Sequence, residues 1–417
     1  MNPSQEQPME RWRRKISPRG SVTLALLCVV ATSQGCGRST DLVDDRPPPF
    51  SFRALDLQQQ TSEGLPAWSL LSPEARYDLR SSVARALRPE GVIFEKGKPR
   101  YKLAATTGTV INDGEVILLE GEIRLRRLGP TPLLITADRA LWIPRDSLMR
   151  FELAPEVRNP QNRLTSQTAT LHLDRDVLQL RGEPRLEHWS RPFGLGAKGA
   201  TPTPEILGRA KEVDWRPGTG DLTGVGPITI TRRPPGTPAR RPPQLLTASR
   251  LEGNTVKQLY VLQGPVQVDD PEERSWFRGG ALTINPKEQW LTSAAAFQAK
   301  RGQVEVEGEE LRLDGKGTLA TIGRDCKLQQ GGDGLRSQRC QWNWQTQAVE
   351  AEGEVVFQRE ANDLRTQAHR LQGQLGRDGH IEAFTPGGRV VSQLRVPRSS
   401  RSPQPRRARP KADPIVF

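Results

Sequence analysis

Val116-Ile-Leu-Leu-Glu-Gly121-Glu-Ile-Arg-Leu125 is an apolar run closed by a glycine, after which charged and apolar side chains alternate. The phrase returns as Val177-Leu-Gln-Leu-Arg-Gly182-Glu-Pro-Arg-Leu186. Looser copies are Leu222-Thr-Gly-Val-Gly226-Pro-Ile-Thr-Ile230 and Leu259-Tyr-Val-Leu-Gln-Gly264-Pro-Val-Gln-Val268. Val304-Glu-Val-Glu-Gly308 and Val349-Glu-Ala-Glu-Gly353-Glu-Val-Val-Phe357 complete the set. Gaps of 61, 44, 38, 44 and 45 residues separate the glycines. Alternation with period two over a short run is the pattern of a half-buried strand, because successive side chains leave on opposite faces. Its return at near-regular intervals marks a repeat architecture. The sequence thus predicts an all-β protein in which each phrase is a strand closed by its glycine. A stack of this kind binds along its length rather than catalysing at a point.

The chain has 417 residues, of which 35% are hydrophobic and 5% aromatic, too few for one large globular core. An array of thin layers needs less core per residue, and the apolar residues are periodic rather than absent. The formal charge of +13 is concentrated at the ends. Residues 1–35 carry +3 and residues 395–417 carry +6, which leaves about +4 over the long middle. No basic face with interleaved aromatics and no recognisable nucleic-acid module is present, which argues against nucleic acid as a partner.

Arg11, Arg13, Arg14, Lys15 and Arg19 precede an apolar run from Val22 to Ala31, the parts of a secretory signal or membrane anchor in residues 1–35. Ten residues of helix span roughly 15 Å, about half of a roughly 30 Å hydrocarbon core, so a stable transmembrane helix is the weaker reading. Ser33-Gln34-Gly35-Cys36 resembles a bacterial lipobox, although Ser33 stands where that motif has leucine. Lipidation of Cys36 is expected; ordinary cleavage nearby or an uncleaved anchor are the alternatives. Each places the mature chain in an extracytoplasmic compartment, tethered at its start. Residues 36–49, ending in Pro47-Pro48-Pro49, form a stiff linker.

Two cysteines remain in the body, Cys326 and Cys340, equally far from Asp333 in Gly331-Gly332-Asp333-Gly334. A hairpin turn there sets them face to face and predicts a disulfide; two buried free thiols are the alternative. Metal binding is not expected, with no CxxC spacing and no histidine nearby. No GxSxG, P-loop, HExxH or GxGxxG motif has a supporting context, so neither catalytic residues nor a cofactor is expected. Carboxylates such as Glu305, Glu307, Glu309 and Glu310 suit outer strand faces.

The segment from Phe50 to about Arg126 carries Leu55-Asp56, a Gly64-x-x-x-Trp68 turn and Ala75-Arg-Tyr77-Asp78. A turn or short helix is expected within residues 79–90, where Leu79, Val83 and Leu87 could share a helical face. In its motifs the segment resembles the LptC family, the membrane-anchored periplasmic component of the lipopolysaccharide-export ABC transporter. The glycine-centred phrases, with Ile135-Thr-Ala137-Asp-Arg-Ala140-Leu and Leu164-Thr-Ser166-Gln-Thr-Ala169-Thr-Leu171, are similar to OstA-type strands of the related bridge protein. The resemblance implies an extended, twisted antiparallel β-jellyroll in two consecutive units, an LptC-like unit at 50–195 and an OstA-like extension at 196–395. Pro- and Gly-rich loops lie near 192–204 and 234–243, and a basic, disordered tail is expected at 396–417. The chain is about twice the length typical of the family.

In Val177-Leu-Gln-Leu-Arg181, Leu178 and Leu180 share one face while Gln179 and Arg181 take the other. A row of such strands in an open jellyroll would line a groove for acyl chains. Leu118, Ile123, Ile135, Leu171, Leu178, Leu180, Val261 and Phe357 are the predicted lining. The resemblance implies lipopolysaccharide or a related envelope glycolipid as cargo. It implies the permease subunits of an inner-membrane ABC transporter as donor. A periplasmic bridge or outer-membrane assembly protein, joined by strand addition, would be the acceptor. Two rivals stay open: a structural envelope β-repeat lipoprotein with a closed core, and a carbohydrate-active enzyme with a carboxylate cluster in a cleft.

Overall fold

The structure is a computed structural model that describes residues 50–192, 203–233, 241–316, 318–376 and 379–395. Among these it holds 32 strands, three single-turn 3-10 segments and no α-helix. The candidate signal, Cys36, the proline-rich linker and the basic tail lie outside the described residues.

The long strands explain the architecture. Val116–Arg127 pairs antiparallel with Leu133–Ile143 in two blocks: Ile123 opposes Ala137, Glu120 opposes Arg139, and Gly121 with Glu122 faces Asp138 alone. Two residues against one is a β-bulge, which bends the strand and increases its twist. Beyond the bend the halves take different neighbours. The Val116 half pairs with Thr107–Ile111 and the Arg127 half with Lys98–Ala104. Similar breaks interrupt Leu259–Asp270 with Ser275–Asn285, Val304–Asp314 with Leu319–Gln330, and Ala348–Arg359 with Leu364–Gln374. A line of bulges therefore folds one antiparallel sheet onto itself as two facing layers. Layer one contains Glu74–Asp78, Val83–Leu87, Thr107–Ile111 and the first half of Val116–Arg127. Layer two contains Pro66–Ser72, Glu90–Glu95, Lys98–Ala104 and the second half.

The recurring glycine thus marks a bend inside a strand, not its end. Gly121 has φ +74°, and a Cβ there would stand 2.9 Å from the Thr106 side chain, so the corner requires glycine. Gly182 comes closest to the expected strand closure: the strand stops at Arg181 and resumes at Arg185 in the other layer. The unequal gaps also have a reason. From Gly264 to Gly308, and again to Gly353, the chain crosses between layers three times, and only some crossings carry the full phrase.

Inward side chains fill the space between the layers. Ile117 and Leu119 point in from layer one, Ile123 and Leu125 from layer two, and all four are fully buried. On the return strand the inward set is Leu133, Ile135 and Ala137, then Ala140 and Trp142; the three-residue step at the bulge keeps both halves facing the core. Each large aliphatic side chain buried in this way contributes about 1.5–3 kcal/mol. Trp68 of layer two meets Trp142 of layer one edge-on at 5.3 Å between ring centroids. One buried cluster runs from Trp68 to Trp215 and a second from Ala248 to Leu375.

The turn expected within residues 79–90 is formed by Leu79 to Ser82, and Val83–Leu87 is a strand, because Val83 and Leu87 pair with Ile111 and Thr107. Two other expectations need adjusting. The expected unit boundary at 195/196 falls inside a continuous ladder, in which Arg185–His188 pairs with Ile206–Arg209; the core instead divides between Trp215 and Ala248. Cys326 and Cys340 are disulfide-bonded with Cα atoms 5.9 Å apart, but they are not opposed across a hairpin. Cys326 pairs with Ser337 in layer two and Cys340 with Ile322 in layer one, so the bond joins the layers at their corner.

Candidate functional site

The strand register creates uninterrupted inward rows. In layer two, Leu103 opposes Leu125, Leu125 opposes Ile135, Ile135 opposes Val157 and Val157 opposes Leu164. Farther on, Ile230, Leu246, Val268 and Phe277 are successive partners in the same row. It continues through Leu328, Leu335 and Phe357 and turns polar only at Thr366 and Ser392, whose hydroxyls hydrogen-bond at 3.0 Å. Layer one has a matching row that passes through Ile117, Trp142, Met149, Leu171, Leu178 and Trp215. A lane of apolar side chains, with no charged residue in these rows, therefore runs from strand to strand between the layers.

Ile123, Ile135, Leu171, Leu178, Leu180 and Phe357 all point into that space and are fully buried. Leu118 and Val261 do not. Each sits one residue out of phase with buried neighbours, Ile117 and Leu119 in one case and Leu262 in the other, and so lies on the outer face of layer one. Gln179 is on that outer face, where it meets the His172 ring at 3.1 Å.

Coverage varies along the lane. Between the two buried clusters, Leu222, Ile230, Leu246, Tyr260 and Val268 are only half-buried, although their row-mates at Ile135 and Leu178 are sealed. The interior is sealed at the corner, where Ile228, Leu262 and Val266 are buried, and less covered toward the mouth.

Elsewhere the mouth is held by polar contacts between the tips of the layers. In the amino-terminal half, Asp176 reaches across from the turn after layer-one strand Thr168–His172. Its Oδ1 accepts from the Tyr101 hydroxyl at 2.9 Å, and its Oδ2 accepts from Arg127 Nη2 at 2.8 Å and from the Gly218 N–H at 3.0 Å. Arg100 Nη2 stands 3.6 Å from the same oxygen. Burial, with the Asp176 charge adding to it, pushes the Tyr101 hydroxyl well above its ordinary pKa and keeps it a donor. In the carboxyl-terminal half, Arg359 binds Asp333 through Nε and Nη2 at 3.0 and 2.8 Å. The Gly376 N–H donates to Asp333 at 3.1 Å, and Arg359 donates to the carbonyls of Gly379 and Gly376. Between these, the Arg301 guanidinium of layer two lies 5.3 Å from the Trp344 ring of layer one. These latches escape sequence inspection because their partners are far apart in the chain. A signal for the first did exist: Arg127 falls on the inward parity of Ile123 and Leu125.

Among the described residues, no group of three or more His, Cys, Asp or Glu could hold a metal ion. No helix among them is long and apolar enough to cross a membrane. No curated protein matches the chain. Residues 21–185 match the family model described as lipopolysaccharide-assembly, LptC-related. The two-layered all-β fold agrees with that match, which is to a family with a general role in lipopolysaccharide transport. Residues 21–185 thus resemble an LptC-related lipopolysaccharide-assembly component, and the strands described there are continued by further strands in the same ladder.

Proposed function

We propose that this protein carries lipopolysaccharide across the periplasm, with the acyl chains lying between the two layers and the sugar headgroup at the mouth. The unbroken apolar lane supports this reading most strongly. Each acyl CH₂ moved from water onto such a lining contributes about 0.8 kcal/mol, and a lane without charged residues lets chains slide. The half-covered stretch around Leu246 and Val268 is where chains can enter without first breaking a latch. Lipid would come from the permease subunits of an inner-membrane ABC transporter, which supplies the energy; the chain itself would bind no nucleotide. Delivery would go to a periplasmic bridge or outer-membrane assembly protein by strand addition at an edge of the sheet. Anchoring at the amino terminus, by lipidated Cys36 or an uncleaved segment, would keep the start of the lane at the inner membrane.

The test is photocrosslinking in cells at Leu246, which faces the lane, and at its outward neighbour Thr247. Lipopolysaccharide adducts at Leu246 but not Thr247 are expected. Adducts at neither site, with folded and correctly localised protein, would leave a structural envelope scaffold as the better account.

A further inference from the structure

The amino-terminal latch has the chemistry of an anion site. Three hydrogen-bond donors and a further cation, drawn from two strands and a turn, converge on one carboxylate: the Tyr101 hydroxyl, the Arg127 guanidinium and the backbone N–H of Gly218 donate to it, and the Arg100 guanidinium stands 3.6 Å away. Arg127 is 3% exposed, yet its Nε and Nη1 have no hydrogen-bond partner. A buried guanidinium with two unused donors has lost water without full replacement, so it favours a second or larger anion. The backbone is shaped to the same end. A Cβ at Gly218 would fall 2.6 Å from Asp176 Oδ2 and 2.9 Å from Arg127 Nη2, so the glycine lets that N–H approach the carboxylate without moving either side chain. The lane ends at this cradle: Arg127 and Tyr101 are partners at the next inward position beyond Leu125 and Leu103.

We infer that Arg100, Tyr101, Arg127 and the Gly218 N–H form a binding site for a phosphate of the transported glycolipid, which Asp176 occupies as an internal stand-in. This deepens the proposed function and rests on it. A tetrahedral phosphate has more acceptor oxygens than a carboxylate and could engage the unused Arg127 donors together with those that now hold Asp176. Acyl chains would lie beside Leu103, Leu125 and Leu178 while the phosphate displaces Asp176 at the mouth. Exchange of one anion for another would then open this latch only for a lipid carrying the right headgroup.

The experiment measures binding of three probes to the full chain: acylated, bis-phosphorylated glucosamine disaccharide, the same lipid without phosphates, and inorganic phosphate. Wild type, Arg127→Gln, Asp176→Asn and Tyr101→Phe are compared, with thermal unfolding as a check on folding. Wild type is expected to prefer the phosphorylated lipid by about ten-fold or more, the effect of one strong charge-assisted hydrogen bond. Arg127→Gln should erase that preference, Tyr101→Phe should reduce it, and Asp176→Asn should tighten the phosphorylated lipid alone. A preference that survives in Arg127→Gln overturns the inference, as does Asp176→Asn binding no tighter than wild type. Inorganic phosphate binding as tightly as the phosphorylated lipid would overturn the headgroup as its source. If wild type binds neither lipid, the transport reading itself fails; equal binding of both lipids leaves transport standing and removes only the phosphate site.

Discussion

Every nitrogen of the Arg359 guanidinium has a partner: two donors hold Asp333, and the Gly376 and Gly379 carbonyls take two others. At the corresponding place in the amino-terminal half, Arg127 gives one donor to Asp176 and leaves Nε and Nη1 without partners. Exposure differs as well. The Asp333 side chain is 6% exposed, whereas Asp176 is 20% exposed and reachable from the mouth. The same pair of residue types therefore makes a permanent clasp in one half and an exchangeable one in the other. The corner disulfide between Cys326 and Cys340 adds to the rigidity of the carboxyl-terminal half.

Four outcomes would break or sharpen that contrast. Arg359→Met should be the most damaging, because it strands a buried Asp333; a loss of about 3–5 kcal/mol is expected in urea unfolding. A loss under 1 kcal/mol would mean that the carboxyl-terminal clasp is no tighter than its counterpart. Replacing both Cys326 and Cys340 by alanine should cost about 2–4 kcal/mol, read as a lower denaturation midpoint that reducing agent does not lower further. Arg127→Met should cost only about 1 kcal/mol, since the arginine is itself poorly satisfied and Asp176 keeps solvent and two other donors. If it costs as much as Arg359→Met, the two latches are equivalent and the contrast fails.

The smallest effect concerns pH. Burial depresses the pKa of His188 in the amino-terminal half, partly opposed by Glu205. A histidine with a lower pKa folded than unfolded binds fewer protons in the native state, so its contribution is greatest above the ordinary value of about 6.5 and is lost as pH falls below it. Unfolding free energy should therefore decline on acidification through that range, and His188→Gln should flatten the slope.

The fold class was readable because alternation records which side of a strand is buried. Where alternation lapses, the sequence does not mark the buried face. Val116-Ile-Leu-Leu119 and Leu259-Tyr-Val-Leu262 are apolar on both faces, so nothing local tells Leu118 from Leu119 or Val261 from Leu262. One residue of register reverses the face. The glycine phrase was visible but its meaning was not, because a bulge and a strand end use the same residue at positive φ. The latches depend on contacts as distant as Tyr101 with Asp176 and Asp333 with Gly376, which no spacing pattern encodes. The half-covered middle of the lane follows from how far the layers stand apart, a tertiary property invisible in Leu246 or Val268 alone.

The register has one further consequence, for how such a molecule can grow. Among the described residues each crossing pairs only with crossings beside it in the chain, so none of these strands depends on a remote segment for its hydrogen bonds. A pair of crossings inserted at a hairpin would return the chain to the same layer in the same direction, extend every inward row by two partners and leave the rest of the ladder intact. Length is therefore an adjustable quantity in this architecture, and an LptC-related region can be continued by duplication without a new domain having to be designed to meet it.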